Sequence, residues 1–205
     1  MKTHHMKKAE LLETGMRLIS EHLLAAAAVY AEMARNPEFQ RSIYEAAWGI
    51  RQAHDAGCQP LIFGNGGSAG DGQHFESEMV GQFEKDDPPL PALALTSNPL
   101  LLTAVANDRP DGFAEIFSHQ LKPRARKGDV VVGISTSGNS ENVFRGLKVA
   151  KDMEYRTIAI LGQNGGKVLP FVNLPVLVPS KITAHVQEGT IAVIHAICKV
   201  AKLGR

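Results

Sequence analysis

The chain of 205 residues has only two cysteines, Cys58 and Cys198. They cannot build a disulfide framework and lack zinc-ribbon spacing, which fits a reducing, cytoplasmic setting. No apolar run approaches the ~20 residues of a membrane span. The opening MKTHHMKK is charged and has no apolar stretch, so it does not read as a secretion signal. His4 and His5 receive no metal role. Net charge is only +1, which gives no electrostatic reason for binding nucleic acid or a membrane surface. A Walker-type GxxxxGKS or GxxxxGKT is missing, which argues against that kind of nucleotide site. What remains is 44% hydrophobic and 21% charged, an ordinary composition for a soluble domain of this length.

The richest stretch is 61–78, LIFGNGGSAGDGQHFESE. Leu61, Ile62 and Phe63 read as the end of a buried strand. Gly64, Asn65, Gly66 and Gly67 form a turn that accepts positive φ. Ser68 is the expected N-cap of the next helix. Such a junction aims backbone N–H groups and a positive helix end at an anion, most often a phosphate or phosphosugar. On that helix, His74 and Glu78 share one face, one turn apart. They are either a solvated surface pair or a pair able to hold a metal or move a proton.

Upstream, apolar residues at helical spacing over 7–33 predict a long amphipathic helix. Asn36 and Pro37 open a second helix that runs to about His54, with Gly57 just past its end. This pair serves either to pack against a partner subunit or as a covering layer. Downstream come short apolar strands at 93–95, 129–134, 157–161 and 174–178. Helices are expected at 98–106, 112–121, after Ser140 to about Met153, and 185–203. The expected fold is α/β, a doubly wound parallel five-stranded sheet with extra N-terminal helices. We expect a single domain, 1–205, with 1–57 for oligomer packing and 58–205 as the sheet core. Ligands in such sheets bind beyond the carboxyl ends of the strands.

A second polar strand end carries Ser135, Thr136, Ser137 and Ser140, hydroxyls that can cradle a phosphate without Lys or Arg. An ordinary Ser/Thr-rich turn capped by Asn139 or Ser140 is the alternative. GNGGSAG meets only a loose dinucleotide fingerprint, with Ala69 where the third Gly would fall. On the last helix, Gln187 and His195 stand eight residues apart, about 12 Å along an ideal axis and roughly 80° around it, so they do not form one tight ligand pair unless Gln187 sits at a frayed helix start. His195 lies in an apolar run. It is either a core histidine or, across a subunit interface, a partner for His74 and Glu78.

Together GNGGS, H-x-x-x-E, ISTSGNS and QE with a His eight residues beyond the Gln resemble the sugar isomerase (SIS) domain family, in its phosphoheptose isomerase branch. The resemblance covers nearly the whole chain, N-terminal helices included. It implies a flavodoxin-like fold and a homotetramer with active sites at subunit interfaces. It implies ketose–aldose isomerisation of sedoheptulose 7-phosphate through an enediol, serving bacterial heptose, lipopolysaccharide or capsule biosynthesis. Glu78 and His195 would be the acid/base pair, and His74, Glu78, Gln187 and His195 the ligands of one zinc ion. Asn65, Gly66, Ser68, Asn107, Asp108, Ser135, Thr136, Ser137, Ser140 and Gln187 would bind the substrate. The family pattern has Arg at Gln82, Asp near Asn98 and His at Thr190, so chemistry is better supported than substrate. A non-catalytic branch that binds the bacterial replication initiator, or a phosphosugar sensor, is the alternative.

Overall fold

A computed structural model describes residues 8–205; His4, His5 and Lys7 lie outside the described residues. Two helices come first, α1 (Lys8–Arg35) and α2 (Pro37–Asp55). Then follow β1 (Pro60–Gly64), α3 (Gly67–Val80), β2 (Leu93–Ala94), α4 (Pro99–Asp108) and α5 (Ser118–Arg124). The remainder is β3 (Val130–Ser135), α6 (Glu141–Asp152), β4 (Arg156–Gly162), β5 (Leu174–Val178) and α7 (Thr183–Lys202). Among the described residues no helix is long and apolar enough to cross a membrane.

The sheet is parallel throughout, in the order β2-β1-β3-β4-β5. This is the flavodoxin-like order, whose switch point lies between β1 and β3. The central strands are buried on both sides, which explains their continuous apolar runs. Side-chain alternation divides the core in two. Ile62, Val132, Ile134, Ile158 and Val176 pack with α2, α3 and α7. Leu61, Phe63, Val131, Ala159 and Leu161 pack with α5 and α6.

Local chemistry explains most helix ends. The Asn36 carboxamide accepts the N–H groups of Glu38 and Phe39, and Pro37 sets the first helical φ of α2. Asn98 caps α4 by accepting the Leu101 N–H. Gly57 leaves α2 at φ 73°.

Two expectations need correction. Ser68 does not cap α3. Gly66, at φ 54°, takes that position, and Ser68 is buried inside the first turn with its N–H bonded to the Asn65 carbonyl. The helix expected over 112–121 is split into a 3-10 turn, Gly112–Glu115, and α5. Phe117 sits at the break because its ring stacks on Phe63 in the core, 4.8 Å between centroids. Of α1, the later part packs on its own chain, with Met33 in the core and Val29 against it, and the earlier part does not. Leu12, Leu23 and Leu24 are 61–69% exposed, and only Met33 of this helix is buried.

Candidate active site

The carboxyl ends of β1 and β3 are neighbours, Gly64 pairing with Ile134, so both polar loops meet at the switch point. Asn65 and Asn142 lock the loops together. Asn65 Nδ2 donates to Asn142 Oδ1 at 2.7 Å, and Asn142 Nδ2 donates back to Asn65 Oδ1 at 2.8 Å. Gly64 must be glycine because a Cβ would meet Ser68 and the Ile134 carbonyl.

The Ser/Thr loop is built partly from its own hydroxyls. Buried Ser135 Oγ accepts the Gly138 N–H at 3.1 Å and lies 3.4 Å from Ser140 Oγ. Ser137 Oγ accepts the Asn139 N–H at 3.1 Å. The Thr136 carbonyl accepts the Gly162 N–H, tying the loop to the end of β4. Ser140 is the N-cap residue of α6, without a capping bond from its own hydroxyl. In the first turn of α6 the Val143 N–H is taken by Asn142 Oδ1, and the N–H groups ahead of it stand at the positive end of the helix dipole. This geometry suits a phosphate. Glu141, in the first turn of α6, would repel one, but Lys167 and Arg145 both pair with it. Their hydrogen bonds, Lys167 first, hold its carboxyl below the usual range.

His74 and His195 meet within one chain. Their Nε2 atoms are 2.8 Å apart, although the residues lie on α3 and α7. The core alternative for His195 does not hold: it is half-buried and faces His74 edge-on, with Phe83 packed against its ring. At 2.8 Å one imidazole nitrogen carries the proton and the other accepts it. Glu78 Oε1 lies 3.7 Å from His74 Nε2. Two imidazoles and a carboxylate are ligand types that suit a divalent metal, although here their ligand atoms do not all lie within 4.8 Å of one another, and Gln187 sits inside α7, eight residues before His195. The Gln187 carboxamide fills the space over Gly67, where any Cβ would overlap it.

Asn107 and Asp108 form an exposed pair at the end of α4, Asn107 Nδ2 donating to Asp108 Oδ1 at 2.7 Å. The departures from the family pattern also have local partners. Asn98 is spent on its cap, and Thr190 is buried with its hydroxyl on the Val186 carbonyl. Gln82 is exposed just beyond α3. Burial pushes the Cys198 thiol up to about 12, so no thiolate nucleophile stands beside Glu78 at neutral pH.

Sequence reasoning missed three features. Asn142 is a polar residue on the buried face of an amphipathic helix, which was the available signal. Lys167 follows the positive-φ glycines Gly165 and Gly166, and its N–H bonds Asn139 Oδ1 at 3.0 Å. The third is a metal-competent cluster elsewhere than expected. Among the described residues, the group of His, Cys, Asp and Glu whose ligand atoms all lie within 4.8 Å of one another is His22, His185 and Glu188. Hydrogen bonds from His185 and then His22 hold the Glu188 carboxyl below the usual range. His185 and Glu188, three residues apart on α7, were within reach of a spacing argument, but none links them to His22.

Fold and site define a doubly wound α/β protein with a Ser/Thr-rich loop at its switch point and a His–His–Glu group between α3 and α7. Residues 24–162 match the SIS domain model. The chain is 47% identical over 165 residues to the phosphoheptose isomerase of Citrifermentans bemidjiense, covering 80% of this chain and 85% of that one. The solved phosphoheptose isomerase of Neisseria gonorrhoeae is 36% identical, with a TM-score of 0.82 over 91% of this chain and 97% of that one. That of Francisella tularensis is 32% identical, with a TM-score of 0.85 over 92% and 98%. The chain belongs to the SIS-domain phosphoheptose isomerase family.

Proposed function

We propose that this protein is a phosphosugar ketose–aldose isomerase. It converts sedoheptulose 7-phosphate to D-glycero-D-manno-heptose 7-phosphate in the cytoplasm, for heptose biosynthesis. The observation that carries this reading is the 2.8 Å meeting of His74 and His195 with Glu78 one turn away on α3.

The residues divide the work as follows. The loop of Ser135, Thr136, Ser137 and Ser140 holds the phosphate against the amino end of α6, with Asn65, Gly66 and Ser68 forming the opposite wall. Asn107, Asp108 and Gln187 bind hydroxyls of the extended sugar. Glu78 removes the proton from the carbon next to the carbonyl and returns it to the neighbouring carbon. His195 protonates the carbonyl oxygen as the enediol forms and takes the proton from the adjacent hydroxyl as it collapses. His74, against His195, holds that ring in one tautomer. His74, Glu78, Gln187 and His195 would hold one zinc ion, which when bound supplies Lewis-acid polarisation of the carbonyl.

The 58–205 core carries this site, and the 1–57 helical pair serves assembly within one domain. The exposed apolar face of α1 supports a homotetramer with sites near subunit interfaces, because seven large apolar residues from Leu11 to Leu24 are each more than half exposed. Burying such a side chain is worth roughly 1.5–3 kcal/mol. The test is incubation of zinc-loaded protein with sedoheptulose 7-phosphate, followed by NMR. Appearance of the aldoheptose phosphate supports the reading; an unchanged ketose spectrum refutes it.

A further inference from the structure

We propose that His22, His185 and Glu188 form a second divalent-metal site, which clasps α1 to α7. It is independent of the isomerase reading. His185 and His195 are ten residues apart on α7, about 15 Å along an ideal axis, so the two groups are separate.

The donors come from two elements and are already oriented. Glu188 bridges both rings: Oε1 lies 3.0 Å from His22 Nε2, and Oε2 lies 3.1 Å from His185 Nδ1. The imidazoles stack at 4.8 Å between centroids with 27° between planes. Ligand atoms around a tetrahedral zinc with bonds of ~2.0–2.1 Å lie roughly 3.3 Å from one another. Each ring is therefore near the needed length from one carboxylate oxygen; the His22–His185 edge must close, and Glu188 must bind through both oxygens or turn one of them toward the ion. His22 can make that adjustment, since its side chain is 46% exposed. His185 cannot move far, being buried at the start of α7. Tyr30 fixes the register of the two helices by donating its hydroxyl to the Glu188 carbonyl at 3.0 Å.

Two neutral imidazoles and one carboxylate favour a borderline cation such as Zn²⁺, Co²⁺ or Ni²⁺ over Mg²⁺ or Ca²⁺. The exposed side of His22 leaves room for a water as the fourth ligand. Such an ion would fix the earlier part of α1, whose apolar face is otherwise unsupported by its own chain. It would also brace the turn of α7 that carries Gln187.

The test compares zinc content of the whole protein and its His22→Ala and Glu188→Gln variants. Each is loaded with excess zinc, desalted over a weak chelating resin and read by atomic emission. His4 and His5 are common to all and cancel. Each variant is expected to hold one equivalent per chain less than the unsubstituted protein, and cobalt-loaded samples to lose one set of visible d–d bands. A His74→Ala protein should keep the equivalent that His22→Ala removes, so failure of the other metal site is distinguishable. If His22→Ala and the unsubstituted protein hold equal zinc and give equal cobalt spectra, the cluster is a hydrogen-bonded latch and the proposal is overturned.

Discussion

Asn65 and Asn142 exchange both of their carboxamide hydrogen bonds, and through them the first loop of the sheet is fastened to the second. The pair links the wall formed by residues 65–68 to the start of α6, directly after the Ser/Thr loop. Asn142 also accepts the Val143 N–H at its own oxygen. Asn142→Ala should therefore leave buried amide groups without partners and cost about 1–3 kcal/mol. We expect a lower unfolding temperature and a KM for the phosphosugar raised at least about tenfold, which corresponds to ~1.4 kcal/mol of lost binding. Thermal unfolding and steady-state kinetics check both.

Gly67 and Gln187 give a cleaner separation of function from stability. A Cβ at Gly67 would overlap the end of the Gln187 side chain. That end is flexible and can swing aside without moving the backbone. Gly67→Ala is expected to keep the fold, with an unfolding temperature close to that of the parent. It should lower kcat/KM by roughly tenfold or more, because a misplaced positioning group acts on the transition state. Equal kcat/KM in the two proteins would remove Gln187 from the site.

Asp71 supplies a pH test. It is buried on α3, its Oδ2 has no partner, and burial pushes its carboxyl up to about 6 from 3.8. The folded chain thus holds this proton more tightly than the unfolded chain does. Its stabilising contribution is complete below pH 3.8 and is lost as pH rises through about 6. Asp71→Asn should gain unfolding temperature over the parent at pH 8 and lose that advantage at pH 4, as measured by thermal scans at the two values.

The apolar face of α1 predicts assembly. Ile19 is 56% exposed and Leu23 61%, four residues apart on the same helix. Light scattering should find four copies in the parent protein. Ile19→Glu with Leu23→Glu should yield smaller species, since two buried charges would oppose the contact. A parent protein that is monomeric at micromolar concentration contradicts the proposed assembly.

Most of the fold could be read from the residues. Short apolar runs between helical patterns gave the strands, and Asn36, Gly57 and Asn98 marked helix ends because their side chains or φ values act locally. The split at Phe117 was not legible, since it depends on a stacking partner, Phe63, far away in the chain. The same limit applies to the site. Spacing identified His74 with Glu78, but only the packing of α7 on α3 brings His195 to His74 in the same chain. His22 and Asn142 escaped because their partners are supplied by tertiary packing; the His185–Glu188 pair is local, and only the packing of α1 on α7 gives it a third member. Ser68 misled for another reason: a serine next to a glycine turn reads as a cap, yet Gly66 reaches φ 54° and caps the helix two residues earlier.

The most direct test of the central claim is isotope exchange. In deuterated water, zinc-loaded protein turning over sedoheptulose 7-phosphate should place deuterium at C2 of the aldose. Glu78→Gln and His195→Gln should each slow this by about 10²-fold or more while the assembly stays intact. Exchange at the parental rate in Glu78→Gln would contradict the account, because the proton would then be carried by some other group.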